Sequence, residues 1–397
     1  MRYDLVFEGG AAKGMIFAGA VAELEATGHS FGRLLGTSAG SITAAMLASG
    51  AGAQGLLAAL GEKQGDRSVF EGFMAPPARF TEEEIQRSAL RGLLGEMDVP
   101  LVGDAWEAKL DDAVIRALMS RPLFRSMFSF VELGGWYTSH RFVEWLTERL
   151  DDGRVNGRRV KMGKLTLGQM FGETGVDLSV VATNTTHACL MILNHRTAPD
   201  VPVVSAVQMS MSIPLLWQEV VWRKEWGTYR DEDLTGACVI DGGVLSNFPL
   251  ELFVSGEPQV TALMGQPKAD DVLGLLIDEE LPVPGLDLSV ATEEPRGPDL
   301  GQRRTADRLK RLVATVVKAR DKLVIDAFEH LVVRLPAKGI GTTEFDLSDE
   351  RRAVLTAAGK EAMRAHLARR AAAPPSAPDT LSLTAGKMAA RLVQSRR

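Results

Sequence analysis

Twice within the first 48 residues an apolar run ends in a glycine turn and gives way to a stretch of helix formers. The first unit runs from Tyr3–Phe7 through Gly9-Gly10 to Met15–Ala26, and the second from Arg33-Leu34-Leu35 through Gly36-Thr37-Ser38-Ala39-Gly40 to Ser41–Ala48. Strands joined through helices run parallel, and the helices then cover both faces of the sheet. Leu178–Thr183, Asp271–Asp278 and Leu331–Leu335 are compact apolar runs of the kind found in strands buried on both faces. The expectation is a parallel, doubly covered α/β sheet. At 397 residues, one large domain with an appendage accommodates the chain.

Other segments interrupt or extend this plan. Residues from about 50 to 135 read as a mostly helical insertion, with Thr81 and Glu84 supplying a capping box. Leu281–Leu300 carries four prolines and several acids and reads as an exposed loop, after which Thr305–Phe328 returns to helix. The boundaries expected are a catalytic domain over 1–335, a helical extension over 336–373, and a loosely tethered Pro/Ala-rich, basic tail over 374–397.

Composition removes several classes of function. With 45% apolar and 24% charged residues the chain is neither disordered nor fibrous. Forty-five basic against 51 acidic residues leave a net charge of -6, so no nucleic-acid partner is expected. Cys189 and Cys238 lack C-x-x-C spacing, and His187 and His195 lack ligand spacing, so no metal site is expected and a reducing cytoplasm fits best. Met15–Ala22 imitates a secretion signal, but Asp4, Glu8 and Lys13 break up its approach. No uninterrupted apolar run reaches the roughly 18 residues of a spanning helix, so any membrane contact is expected to be peripheral.

Three short motifs carry the chemistry. Gly36-Thr37-Ser38-Ala39-Gly40 fits G-x-S-x-G, whose glycines allow a sharp strand-to-helix turn that projects the serine hydroxyl. Glu8-Gly9-Gly10-Ala11-Ala12-Lys13-Gly14 sets small residues between strand and helix, so that bare N–H groups can face an anion. Neither the P-loop nor the Rossmann order fits it: Lys13 precedes the last glycine, and Ala11 stands where a Rossmann glycine belongs. An oxyanion hole and a plain tight turn both remain open. Asp241-Gly242-Gly243-Val244 follows apolar Cys238-Val239-Ile240, which reads either as a functional carboxylate at a strand end or as an ordinary D-G turn.

Taken together, these motifs resemble those of the patatin-like phospholipases: a G-G-x-x-[RK]-G loop, a G-x-S-x-G elbow about one βα unit later, and a distant D-G-[GA], in that order. The flanks Ala206–Pro214 and Asn247-Phe248-Pro249 are similar to the family's as well, and the resemblance covers about residues 3 to 335. Two positions depart from the pattern: Ala11 replaces a usual glycine, and Asn184 stands where aspartate is common. The resemblance implies a three-layer α/β/α fold with a mainly parallel central sheet, a helical insertion and a C-terminal helical extension. It implies a serine–aspartate dyad of Ser38 and Asp241, an oxyanion hole in Gly9, Gly10, Ala11, Ala12, Lys13 and Gly14, and supporting glycines Gly36, Gly40, Gly242 and Gly243. It also implies no metal or organic cofactor, and a phospholipid or other lipid ester as substrate.

An aspartate is a weak base at its usual pKa of about 3.9, so burial has to raise it if Asp241 is to take a proton efficiently. Ser41, Ser210 and Ser212 are not expected to be nucleophiles. Lys13 either steadies the loop, meets lipid phosphate or is simply solvated. Two rivals to the dyad hydrolase stay open. A triad esterase or thioesterase would need His330 or His366, the histidines that follow Asp241. A binding module of the same fold would dock on a membrane or partner without catalysis. Trp217, Trp222 and Trp226 form either core or a lipid-facing rim. The basic segment Arg303–Lys322, with an apolar face of Leu309, Leu312, Val313, Val316 and Val317, is either a membrane-contacting helix for anionic lipid or an ordinary amphipathic core helix.

Overall fold

In the computed structural model, residues 1–65, 67–89, 119–267, 269, 271–286, 321–341, 347–372 and 380–393 are described. Eight strands form the main sheet: β1 (Arg2–Phe7), β2 (Ser30–Thr37), β3 (Asp177–Asn184), β4 (Cys189–Leu193), β5 (Val220–Val221), β6 (Cys238–Asp241), β7 (Asp271–Pro282) and β8 (Val332–Lys338). Their order is β5-β6-β3-β2-β1-β7-β8, with β4 also paired to β3. The pairs β2–β3, β1–β2, β1–β7 and β7–β8 are parallel, whereas β4, β5 and β6 enter antiparallel. The sheet is thus mixed at one end and parallel elsewhere.

Alternate residues along the strands bury into opposite layers. Leu5 and Phe7 of β1, Leu34 of β2 and Leu275 of β7 belong to one apolar cluster, while Val6, Leu35 and Leu276 belong to the other. This is why these strands read as continuous apolar runs rather than alternating ones. The first layer is covered by α1 (Met15–Ala26), α2 (Ala39–Ala48), α3 (Gly52–Leu60), α4 (Val203–Met211) and α5 (Asp349–Ala372). The second holds Phe248–Met264, Val324–Leu331 and α6 (Thr380–Leu392). The expected three-layer α/β/α architecture is what the chain adopts.

The C-terminal region is more integrated than composition suggests. Helix α5 crosses α1 at two glycines: a Cβ on Gly19 would lie 2.0 Å from Thr356 O, and one on Gly359 would lie 2.2 Å from Ile16 O. Only bare Cα atoms let the two backbones approach so closely. Arg364 adds a fork onto Glu23, with Nε–Oε1 at 2.9 Å and Nη2–Oε2 at 3.0 Å. Where a loose tail is expected, α6 instead buries Ala385, Ala389 and Ala390 in the second layer. Alanine-rich sequence looks featureless in isolation, yet small side chains let a helix pack close.

The insertion contains the helices Glu82–Gln86 and Pro122–Leu133, the former with the anticipated Thr81–Glu84 capping box, and also a two-stranded pair at Lys63–Gln64 and Arg67–Ser68. Strand β7 runs to Pro282, beyond the expected end at Asp278. The tryptophan rim is not formed: Trp217, Trp222 and Trp226 are all at most 4% exposed, and Trp222 meets Trp226 edge-on. Most of the basic segment Arg303–Lys322 lies outside the described residues. Among the described residues, no helix is long and apolar enough to cross a membrane.

Candidate active site

Strands β1 and β2 end side by side, with Phe7 paired to Gly36, so the two glycine turns leave the sheet together at its carboxyl edge. That edge is where open α/β sheets present ligand sites. The second turn is a strained elbow. Ser38 has φ 51° and ψ -125°, a conformation costly for a residue with a Cβ, and α2 begins immediately after it. Its glycines are needed for close approach: a Cβ on Gly36 would sit 2.3 Å from Gly40 O, and one on Gly40 would sit 2.4 Å from Phe7 O. Ser38 N–H donates to Ser210 Oγ at 2.9 Å, and the Ser41 hydroxyl donates to Ser38 O at 2.5 Å. Two of the serines set aside as nucleophiles therefore hold the elbow in place.

Asp241 reaches the serine through the antiparallel end of the sheet. Strand β4 pairs with β3 over Val180–Asn184 and β2 pairs with it over Asp177–Val181, so these two occupy opposite edges of β3. Strand β6 pairs with Ala182–Asn184, and at those rungs only the edge shared with β2 is free. Thr37 is therefore opposite Val181 and Asp241 opposite the next residue, Ala182. The two strand ends converge, and the Ser38 side chain comes close enough to the Asp241 carboxyl to lower its pKa. Gly242 lets this happen, since a Cβ there would lie 2.4 Å from Val181 O.

Asp241 is 4% exposed. Burial pushes its pKa up from 3.8 to about 7, against the downward pull of the Ser38 side chain and of a hydrogen bond from Gly243 N–H. The Gly243 bond to Oδ1 is 2.7 Å, and Asp241 N–H donates to Ser212 O at 2.9 Å. A neighbouring hydroxyl and a carboxyl that titrates near neutrality are the parts of a nucleophile and its base.

In the first turn, Gly9 N–H donates to Asn247 O at 3.2 Å and Lys13 N–H to Gly10 O at 3.1 Å. Among the described contacts none engages Gly10 N–H, which leaves it as a candidate donor to an oxyanion. Lys13 is only 2% exposed and ion-paired with Glu279 of β7, so its ammonium ties the loop to the sheet.

The histidines sit elsewhere. His366 is buried on α5, and its pKa falls to about 4 through burial, then the fields of Arg370, Arg369 and His330. His330 is exposed beside β8. Asn184 is buried at the end of β3, its Oδ1 accepting from His187 N–H at 2.9 Å. Among the described residues no cluster of three or more His, Cys, Asp or Glu side chains is arranged to hold a metal ion. Two groups at the site carry no assigned role in the sequence reading: Glu8, named only as the start of the first turn, and Asn247, named only as a family-like flank. Glu8 had one signal, a carboxylate immediately after the apolar Leu5-Val6-Phe7 end of β1.

Comparison with known proteins finds relatives of the chain. The family model described as patatin-like phospholipase matches residues 5–254. A Bacillus subtilis (strain 168) protein described as uncharacterized protein YqhO is 26% identical over 367 residues, 91% of this chain and 96% of that protein. A probable lipid hydrolase, 463L of Invertebrate iridescent virus 6, is 27% identical over 90 residues, 23% of this chain and 27% of the viral protein. Among solved structures, VipD from Legionella pneumophila superposes with a TM-score of 0.44 at 18% identity, over 93% of this chain and 67% of VipD. The heterodimeric ExoU–SpcU complex of Pseudomonas aeruginosa gives a TM-score of 0.39 at 17% identity, over 98% of this chain and 58% of the matched chain. Strands β7 and β8 and helix α5 all lie beyond the matched family residues, although β7 pairs directly with β1 at the centre of the sheet.

Proposed function

Because the chain belongs to the patatin-like phospholipase family, matched over residues 5–254 of 397, we propose that it is a lipid acyl hydrolase of the phospholipase A or lysophospholipase type working through Ser38 and Asp241. The observation that carries this reading is the convergence of the strained Ser38 elbow on a buried carboxyl, Asp241, whose pKa burial raises to about 7 while the Ser38 side chain pulls it back. As Ser38 Oγ attacks the ester carbonyl carbon, Asp241 takes its proton, and the carbonyl oxygen becomes an oxyanion facing the Gly9–Gly14 turn. Collapse expels the alcohol, which receives the proton back from Asp241. Water then gives a proton to Asp241 as it attacks the acyl carbon, and collapse breaks the bond to Ser38 Oγ, which takes the proton back from Asp241 as the fatty acid leaves.

A base of pKa near 7 suits this cycle, because half or more of it is ionised at neutral pH while its conjugate acid still protonates a leaving alkoxide. The positive φ of Ser38 supports the same reading, since strain of this kind persists where the surroundings enforce it. The triad alternative lacks a comparable observation: burial, Ser38 and Gly243 account for the shift at Asp241, and His366 lies in the field of Arg369 and Arg370. In this reading the enzyme works in the cytoplasm and meets lipid peripherally. A fluorophosphonate probe and a lipid panel read by mass spectrometry test it. Ser38→Ala is expected to lose both labelling and release of fatty acid while remaining folded. Hydrolysis at the wild-type rate in that variant would end the proposal, and failure of the native protein to label would favour a binding module.

A further inference from the structure

The Gly9–Gly14 turn and the turn that carries Asp241 are held in register by a side chain pair that takes no part in the steps above. Glu8 follows Phe7, the last residue of β1, immediately before the Gly9–Gly14 turn. Its Oε1 accepts from Asn247 Nδ2 at 3.2 Å and its Oε2 from Ile277 N–H of β7 at 2.6 Å. Asn247 in turn grips Gly9 on both backbone groups: Nδ2 donates to Gly9 O at 2.9 Å, and Asn247 O accepts from Gly9 N–H at 3.2 Å. The amide also fills the gap between the turns. A Cβ on Gly9 would lie 2.2 Å from Asn247 Oδ1 and 2.9 Å from Ser38 Cβ, and a Cβ on Gly243 would lie 2.9 Å from the same Oδ1 and 3.1 Å from Asp241 Oδ1.

We propose that Glu8 is a positioning residue which, through Asn247, sets the spacing between the Gly9–Gly14 turn and the turn that carries Asp241. The inference rests on the Ser38–Asp241 reading. A carboxyl group is suited to the task because it offers two acceptor oxygens, one for Asn247 and one for Ile277, where an amide offers one. Burial raises the pKa of Glu8 well above its usual value, and the charges of Asp321 and Glu279 add to the rise. Asp321 also accepts from Asn247 N–H at 3.3 Å, which fixes the backbone of the bridging residue independently of Glu8.

The test is hydrolysis of a soluble p-nitrophenyl ester by the full chain, with thermal unfolding run alongside. Displacement of a reacting group by about 1 Å can cost about 100-fold, so Glu8→Ala should lower kcat by about 10- to 100-fold while KM stays within about twofold. Glu8→Gln, close to isosteric, should fall between Glu8→Ala and wild type, because one of its two bonds survives. Asn247→Ala should resemble Glu8→Ala. The double variant should be no worse than the poorer single one, because both substitutions break the same link. Wild-type kcat in folded Glu8→Ala or in Glu8→Gln, losses that multiply in the double variant, or an effect on KM alone would each overturn the proposal. If Glu8→Ala does not fold, Glu8→Gln decides. Ser38→Ala in the same assay separates the two readings: activity there sinks the dyad, whereas an inactive Ser38→Ala beside fully active Glu8 variants sinks only the role of Glu8.

Discussion

Replacing Asp241 with asparagine should remove activity and stabilise the protein, with the second effect building up across a defined pH window and persisting above it. The carboxyl is 4% exposed, and burial moves its pKa from 3.8 to about 7. Between those two values the native state holds a proton that the unfolded chain has released. Stability therefore falls as pH rises through the window and levels off above about 7. A shift of about three pKa units corresponds to about 4 kcal/mol at about 1.36 kcal/mol per unit. With an unfolding entropy of about 2 cal/mol/K per residue, that is about 5 °C in Tm for a chain of this length. Wild type should lose about 5 °C more than Asp241→Asn between pH 4 and pH 8, since the remaining groups titrate alike in both proteins and cancel in the difference. Circular dichroism melts at the two pH values measure this, and kcat/KM of the wild type should rise with pH to a plateau above about 7. Parallel Tm profiles for the two proteins would refute the argument, because they would mean that Asp241 carries no raised pKa.

At Ser38, substitution by glycine should abolish hydrolysis yet raise stability by about 1 kcal/mol, because glycine relieves the positive φ; calorimetry showing a loss instead would count against strain at the elbow. Gly9→Ala should cut kcat by about tenfold or more, whereas Gly10→Ala should be mild. The first methyl group would meet Asn247 and Ser38, and the second only the flexible tip of Ile277, so steady-state kinetics of the pair distinguish them. Gly359→Val should destabilise the fold by about 1–3 kcal/mol or more, because it drives a side chain into the carbonyl of Ile16; an unchanged denaturant midpoint would show that α5 does not need its close crossing with α1.

Much of the scaffold was legible from local pattern. The apolar runs that become β1, β2, β3, β7 and β8 are buried on both faces, and a strand of that kind shows its hydrophobicity in every residue. Motif spacing drew attention to Ser38 and Asp241 for a similar reason, as glycines at a sharp turn are a local steric requirement. Strand Cys189–Leu193 was not anticipated, and a five-residue run offers little periodicity to detect. The tryptophans could be assigned to core or rim only once their neighbours were known, since the amphipathic ring suits both settings.

By itself the sequence determined the layered α/β architecture, the two glycine turns and the candidate nucleophile, because each depends on residues close together in the chain. Only the tertiary structure decided that β6 enters antiparallel on the edge of β3 that β2 vacates, which brings Asp241 to Ser38. It likewise decided that Lys13 turns to Glu279, that Glu8 meets Asn247, and that burial lifts the Asp241 carboxyl to about 7. Desolvation and pairing act between atoms that are neighbours in space, and distance along the chain does not encode that proximity.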